Sequence, residues 1–107
     1  MVRTPAYSFI YDPQVRDHVA RIERKYHSLI RKEIERQLRH EPEVETKNRK
    51  PLLRPSSLGS AWELRIGPEN RLRIFYKADR ELWTVNILAI GVKIKERLYI
   101  GGKEFEL

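Results

Sequence analysis

Residues 62–77 read WELRIGPENRLRIFYK, and this stretch decides the fold. Apolar and polar side chains alternate over residues 62–66, and the alternation resumes over residues 71–77. A repeat of two residues places alternate side chains on opposite faces of a β-strand. Between the two runs, Gly67-Pro68-Glu69-Asn70 has the composition of a tight turn. The sequence therefore predicts a β-hairpin with one apolar face.

The residues before the hairpin predict one strand and two helices. Residues 7–11 are rich in aromatic and β-branched side chains, which is typical of a strand. Asp12-Pro13 marks a helix start, and an amphipathic pattern continues from there to Glu41-Pro42. The apolar stripe changes phase near His27-Ser28. This shift indicates two helices folded as a hairpin, although one long bent helix would also fit.

The remaining segments complete an α+β pattern. Residues 43–60 are polar and basic without clean periodicity, and we expect an ordered connection there. After a turn at residues 78–80, residues 82–90 are apolar enough on both faces to form a central strand. We therefore predict an N-terminal strand and a helical hairpin packed on one face of an antiparallel sheet, in a single domain of residues 1–107.

Charge is concentrated in the middle of the chain. The 107 residues carry 22 Lys and Arg against 15 Asp and Glu, a net charge of +7. Residues 47–77 hold much of this excess: Lys47, Arg49, Lys50, Arg54, Arg65, Arg71, Arg73 and Lys77, against Glu63 and Glu69. A concentrated basic surface predicts a polyanionic partner, either nucleic acid or an acidic protein segment. The alternative is a basic surface that serves only solubility.

Composition also argues against several classes of protein. The chain has no cysteine, so it forms no disulfide and no thiolate metal site. No apolar run approaches the roughly 20 residues of a membrane-spanning helix, and residues 1–5 have no leader-like pattern. We therefore expect a cytoplasmic protein without a membrane partner. Asp12, Asp17 and Asp79 are scattered and no glycine-rich phosphate loop occurs, so we expect no metal and no cofactor.

The predicted hairpin gathers arginines on one face. A slip of one residue would place arginines against the apolar face of the partner strand, so the polar sets of both strands should pair. Arg65, Arg71 and Arg73 would then share an exposed patch with only Glu63 to neutralise it. Such a patch of like charge is tolerated where an anion binds, and phosphate matches the guanidinium group well. The alternative is a solvated polar face in which Glu63 bridges an arginine.

Several short motifs occur together. Arg73-Ile74-Phe75-Tyr76 forms an Arg-x-x-Tyr signature, and Ile87-Leu88-Ala89-Ile90-Gly91 precedes a basic segment. Residues 45–52, ETKNRKPL, and residues 98–104, LYIGGKE, complete the set. In order and spacing, over nearly the whole chain, these motifs resemble the RelE/ParE superfamily of small bacterial toxins, and within it the RelE-like translational repressors. The resemblance implies a strand, two helices and a three-stranded antiparallel meander.

The resemblance also implies a function. RelE-like toxins of type II toxin–antitoxin systems are mRNA interferases, endoribonucleases that cut messenger RNA on the ribosome and so inhibit translation. Expected partners are a cognate antitoxin with acidic residues, the ribosome and mRNA, with DNA reached only through the antitoxin. The alternative is a ParE-like toxin that inhibits DNA gyrase by protein–protein binding without catalysis. A non-catalytic RNA-binding module, or a toxin that has lost activity, also stays open.

Four positions correspond to the catalytic set of RelE-like nucleases: Arg65, Arg73, Lys93 and Tyr99. The reaction is attack of a ribose 2′-hydroxyl on the neighbouring phosphate, and it needs a base, an acid and positive charge around the transition state. The resemblance implies Tyr99 as base, Lys93 as acid, and Arg65 and Arg73 as phosphate ligands. Glu63 stands where the family has a second lysine. A purely packing role for Tyr99 is the alternative.

A wider set of basic residues is expected to contact RNA: Lys47, Arg49, Lys50, Arg54, Arg71 and Lys95. For those in the irregular connection, a mobile solvated loop is the alternative. The three histidines, His18, His27 and His40, lie in the helical half, where we expect surface or helix-end positions.

Overall fold

The computed structural model describes residues 5–54 and 56–106. Its helices are α1, Val15–Ala20, and α2, His27–Leu38. Its strands are β1, Ser8–Tyr11; β2, Arg49–Pro51; β3, Trp62–Ile66; β4, Leu72–Asp79; β5, Thr84–Ile94; β6, Arg97–Ile100; and β7, Lys103–Phe105. The expectation that residues 1–5 have no leader-like pattern falls mostly on residues 1–4, which lie outside the described residues.

The seven strands form one mixed sheet around β5. Strand β4 pairs antiparallel with one edge of β5, while β1 (parallel) and β6 (antiparallel) share the other edge. The full order is β2-β3-β4-β5-β6-β7, with β1 beside the first half of β5. The predicted fold class, a strand and helical hairpin packed on a largely antiparallel sheet, is confirmed. The predicted three-stranded meander was incomplete, because β2, β6 and β7 have only three or four residues and show no readable alternation.

The helical half contains two helices, as the change of phase indicated. Asp12 accepts a hydrogen bond from the backbone N–H of Gln14 through Oδ1 at 3.1 Å and so starts the helical segment. The break lies at residues 21–26, before the predicted position, and His27 is the first residue of α2. The His27 ring bonds the backbone oxygen of Ile22 at 2.8 Å, which closes the connection.

The main core lies between the helices and one face of the sheet. Ile34 and Leu38 of α2 pack with Leu64, Ile74 and Ile87 of the sheet, and all five are fully buried. Each such side chain contributes about 1.5–3 kcal/mol to folding through burial. Among the described residues, no helix has the length and apolar character needed to cross a membrane.

The opposite face of the sheet is not simply solvated. Phe75, which the strand pattern groups with the polar residues of β4, is fully buried in a second apolar cluster with Ala89 and Ile100. Leu52 and Leu98 pack against this cluster. It forms the apolar border of the site described next.

Candidate RNA-binding hollow

The pairing of β3 with β4 places two arginines side by side. Arg65 is directly opposite Arg73, which agrees with the predicted pairing of the polar sets of the two strands. Their neighbours Leu64 and Ile74 point into the main core. Because side chains alternate along a strand, both arginines therefore point to the face away from the helices.

Glu63 joins these two arginines. Its Oε1 lies 2.7 Å from Nε of Arg65, and its Oε2 lies 3.3 Å from Nη1 of Arg73. The side chains of Glu63 and Arg73 are only 6% and 11% exposed, whereas that of Arg65 is 38% exposed. Arg73 also donates from Nε to the backbone oxygen of Asn70 at 2.7 Å. The carboxylate thus offsets the repulsion between the arginines, and it does so as a buried bridge rather than on the solvated face considered above.

The arginine pair opens into a hollow of about 880 Å³. Lys93 reaches the same hollow because it pairs with Leu98, which packs on the second apolar cluster. A bulge in β5 makes this possible: Phe75 pairs with Ala89 and Tyr76 with Ile87, so Leu88 is the extra residue. Beyond Leu88 the side chains of β5 change face, and Lys93 consequently lies with the arginines.

Tyr99 is not in this hollow. It pairs with Val92, which packs against the main core, and its neighbours Leu98 and Ile100 belong to the second cluster on the other face. Tyr99 therefore lies on the helix side of the sheet. The tight β5–β6 hairpin causes this, since it pairs Lys93 with Leu98 and leaves Tyr99 one residue out of phase. The implied convergence on one hollow holds for Arg65, Arg73 and Lys93 but not for Tyr99.

Some of the predicted RNA-contacting residues lie at the hollow. Lys50 and Arg54 line it, together with Arg97 from β6. Lys95 lies in the exposed turn that borders it, and Lys47 is exposed but does not line it.

Two other members of that set lie elsewhere. Arg49 pairs with Leu64 and points to the helix side, where it donates to the backbone oxygens of Gln37 and Glu41 at the end of α2. Arg71 lies before β4 begins, in a turn where Asn70 has a φ of 55°, so the strand alternation does not extend to it. Its side chain faces the helix side of the sheet, contrary to the shared patch predicted with Arg65 and Arg73.

The lining of the hollow carries six cations against four carboxylates, and this surplus favours an anion. Within residues 5–54 and 56–106, Lys93 and Arg54 make no ion pair. Lys50 pairs with Glu45 at 3.3 Å and Arg97 with Glu104 at 3.4 Å, both in exposed positions where an ion pair contributes at most about 1 kcal/mol. An incoming polyanion can therefore replace these carboxylates at small cost. In the described part of the chain, no group of three metal-ligating side chains occurs.

The histidines also differ from expectation in one case. His18 is buried, and its Nδ1 accepts a hydrogen bond from the backbone N–H of Ile90 at 3.2 Å. Burial lowers its pKa, against the opposing effects of Asp17 and Asp12. Of the expected surface or helix-end position, His18 has the second, in the last turn of α1, but it is not at the surface. Its spacing from Val15 and Ile22, three and four residues, is the signal that it belongs to the buried stripe of α1.

Comparison with known proteins identifies the fold that carries this hollow. Neither a protein-family profile nor a curated protein matches the sequence. A chain of the toxin–antitoxin complex RelBE2 from Mycobacterium tuberculosis is structurally similar, with a TM-score of 0.63 and 24% sequence identity, over 82% of this chain and 99% of that chain. The two chains share one fold. At this identity the likeness extends to the RelE/ParE-like fold and no further, so the chemistry has to be argued from this chain's own residues.

Proposed function

We propose that this protein is the toxin of a type II toxin–antitoxin system and that it cleaves messenger RNA at the hollow. The observation that carries the proposal is the Arg65–Glu63–Arg73 bridge beside the unpaired Lys93. It holds the guanidinium group of the buried Arg73 in place and keeps that of the more exposed Arg65 at the opening of the hollow, where both match the oxygens of a phosphodiester. The RelE/ParE-like fold, shared with a chain of a toxin–antitoxin complex, supports the same assignment.

The chemistry assigns a role to each group. The ribose 2′-oxygen attacks the adjacent phosphorus and the bond to the 5′-oxygen breaks, which leaves a 2′,3′-cyclic phosphate and a free 5′-hydroxyl. Arg65 and Arg73 stabilise the charge that develops on the phosphate oxygens. Lys93 donates the proton that the leaving 5′-oxygen takes up. In this scheme the protons and electrons balance without an oxidant or a reductant.

The base in this scheme is Glu63 rather than Tyr99. Glu63 lines the hollow and both its oxygens face the arginines, whereas Tyr99 lies across the sheet. When Arg65 turns from the carboxylate to a substrate phosphate, Glu63 Oε1 becomes available for the 2′-hydroxyl proton. Arg65 is the more exposed of the two arginines and is free to make this movement. This rearrangement would be more favourable with mRNA that the ribosome holds in position than with free RNA in solution.

The hollow also explains how an antitoxin would inhibit the protein. An acidic segment laid across Lys93, Arg54 and Arg65 would form charge-assisted hydrogen bonds where the RNA phosphates bind. Toxin activity and antitoxin binding would then exclude one another. Contact with DNA would come through the antitoxin.

The decisive experiment compares variants after induction in cells. We expect new mRNA 5′ ends within translated regions for the wild type, and at least a tenfold reduction for Lys93→Met and Arg65→Lys. Arg80→Ala is the matched control, since Arg80 is exposed, pairs with Glu43 and lies outside the hollow. Melting curves establish that each variant folds. Growth arrest with altered plasmid supercoiling and intact mRNA would overturn the proposal in favour of gyrase inhibition.

A further inference from the structure

A second cavity, of about 360 Å³, lies on the helix side of the sheet. This volume is within the roughly 300–1,000 Å³ of small-molecule sites. Apolar side chains of β4, β5 and the segment that follows α1 form much of its lining, and polar groups surround them. The residues that matter here are Ile22, Leu72, Ile90 and Val92, with His18, Arg21, Tyr26, Arg71 and Tyr99. The mechanism proposed above uses none of them.

We propose that this cavity binds a nucleobase of the RNA strand whose phosphate occupies the hollow. The inference rests on the proposed function for the identity of the ligand. Bases in single-stranded RNA are bound by stacking on aromatic rings and by hydrogen bonds to their edges. The cavity offers both kinds of contact.

His18 supplies a fixed hydrogen-bond donor. Its Nδ1 accepts the N–H of Ile90, so the ring proton is on Nε2 in the neutral form. His18 is 8% exposed. Among the hydrogen bonds of the described residues, its Nε2 has no partner. Nucleobase edges carry ring nitrogens and carbonyl oxygens that accept such a proton.

The aromatic and cationic groups fit the same ligand. Tyr26 and Tyr99 are both partly buried in the cavity lining, so a planar base can enter beside their rings. Arg21 and Arg71 are exposed at its rim. The one carboxylate that Arg71 contacts is Glu69, 77% exposed, which a phosphate can displace. An uncharged apolar side chain of a protein partner would use neither guanidinium group.

The two cavities are connected around the β5–β6 turn. A shallow depression lined by Ile94, Lys95, Glu96, Arg97 and Tyr99 lies between them. It shares Glu96 and Arg97 with the hollow, and Ile94 and Tyr99 with the cavity. An RNA strand can therefore follow one concave path from the phosphate hollow to the base cavity, with Lys95 and Arg97 beside its backbone.

The test uses the free protein and amide chemical shifts. Adenosine should shift the amides of Ile90, Val92 and Tyr99, and adenosine 5′-monophosphate should shift them at lower concentration. Ribose 5-phosphate should shift amides around Arg65, Lys93 and the rim residue Arg71, and leave the amide of Ile90 unmoved because it carries no base. Adenosine that leaves the cavity amides unmoved overturns the inference, and so does displacement of the base by a short phenylalanine-containing peptide that binds more tightly.

Variants separate the cavity from the rest of the surface. Tyr99→Ala should weaken adenosine binding by roughly fivefold or more, the low end for one aromatic stack, while Tyr99→Phe keeps it. Tyr11→Ala is the matched control, because Tyr11 is an exposed tyrosine outside the cavity. Equal loss in Tyr99→Ala and Tyr11→Ala would count against the assignment.

The two proposals fail in different ways. If adenosine does not bind but mRNA is still cut in a Lys93-dependent manner, the cavity assignment falls and the nuclease survives. If adenosine binds at the cavity but no RNA is cut in cells or on ribosomes, the proposed function falls and the base site survives.

Discussion

Glu63 is the residue on which the site depends. The RelE-like pattern that the sequence resembles has a lysine near this position, and here a carboxylate that is 4% exposed binds both arginines instead. Removal of one partner from a buried ion pair costs about 3–5 kcal/mol, because the other charge stays buried without compensation. A substitution of Glu63 should therefore keep the size and shape of the side chain, so that the variant still folds.

Glu63→Gln keeps the shape of the side chain and removes its charge. We expect the variant to fold with a free energy of unfolding lowered by about 1–3 kcal/mol, since the arginines lose a charged acceptor. RNA cleavage should fall by at least about 100-fold, the lower range for loss of a general base. RNA binding should become tighter, because the hollow gains positive charge. Single-turnover cleavage on mRNA-programmed ribosomes and filter binding measure the two effects.

Tyr99→Phe is the companion variant. Its cleavage rate should stay within about twofold of the wild type, since the phenol lies on the other face of the sheet. A loss as large as that in Glu63→Gln would restore Tyr99 as the base and require the sheet edge to rearrange around the substrate.

At the scale of elements, two of the side-chain hydrogen bonds that join the helical half to the sheet come from residues of types that often have a functional role. The guanidinium of Arg49 in β2 binds the backbone oxygens at the end of α2, and His18 of α1 binds the backbone of β5 at Ile90. From the sequence alone, either residue could be taken for a functional one, because Arg49 lies in a basic segment and histidine often acts in catalysis. In the fold both satisfy backbone groups where elements meet.

Arg49 and Arg54 form a matched pair for testing this distinction. Arg49→Ala should lower the free energy of unfolding by about 2–3 kcal/mol, because carbonyls at the end of α2 lose a charged donor, and leave RNA affinity unchanged. Arg54→Ala should leave stability within about 0.5 kcal/mol and weaken RNA binding. Urea denaturation and RNA titration measure both. If Arg49→Ala weakens RNA binding and leaves stability unchanged, β2 does not contact α2 in solution.

His18 makes the docking of α1 sensitive to pH. Its pKa in the folded protein is lowered from the usual 6.5 by burial, so the unfolded chain binds the proton more readily. This contribution to stability is complete above about pH 6.5 and is lost as the pH falls toward the lowered pKa, by at most about 1.4 kcal/mol per pH unit. Urea denaturation at pH 7.5 and pH 5.5 should show a decline for the wild type and a smaller one for His18→Gln. Identical declines would assign the effect to other groups.

At the scale of the whole molecule, the chain carries a surplus of +7. Much of the guanidinium charge near the hollow is already paired with carboxylates. Arg54, Lys93 and Lys95 make no ion pair in the described part of the chain. These three cations should account for most of the net attraction between the hollow and an RNA strand.

The salt dependence of RNA binding tests this count. Each contact between a cation and a phosphate of single-stranded RNA contributes about −0.7 to the slope of log affinity against log salt concentration. With these three contacts and the one that Arg65 makes after it turns from Glu63, we expect a slope of about −2.8, and about −2.1 in Lys93→Met. A slope beyond about −4 in the wild type would mean that RNA displaces the internal carboxylates and binds the paired cations as well.

By itself the sequence determined the hairpin of residues 62–77, the shared face of Arg65 and Arg73, and the α+β class. These features follow from local alternation, because a slip of one residue would bury an arginine in the core. The two helices were predicted from the change of phase in the helical apolar stripe, and the central position of residues 82–90 from the apolar side chains on both faces of that segment.

Only the tertiary structure decided which charged residues share a cavity. The bulge at Leu88 moves Lys93 to the face of the arginines, and the tight β5–β6 hairpin moves Tyr99 to the other. Strands of three or four residues carry too little alternation to reveal their face, and one extra residue reverses every side chain beyond it. For the same reason the sequence did not show that Arg49, in the short strand β2, binds the end of α2 and not RNA.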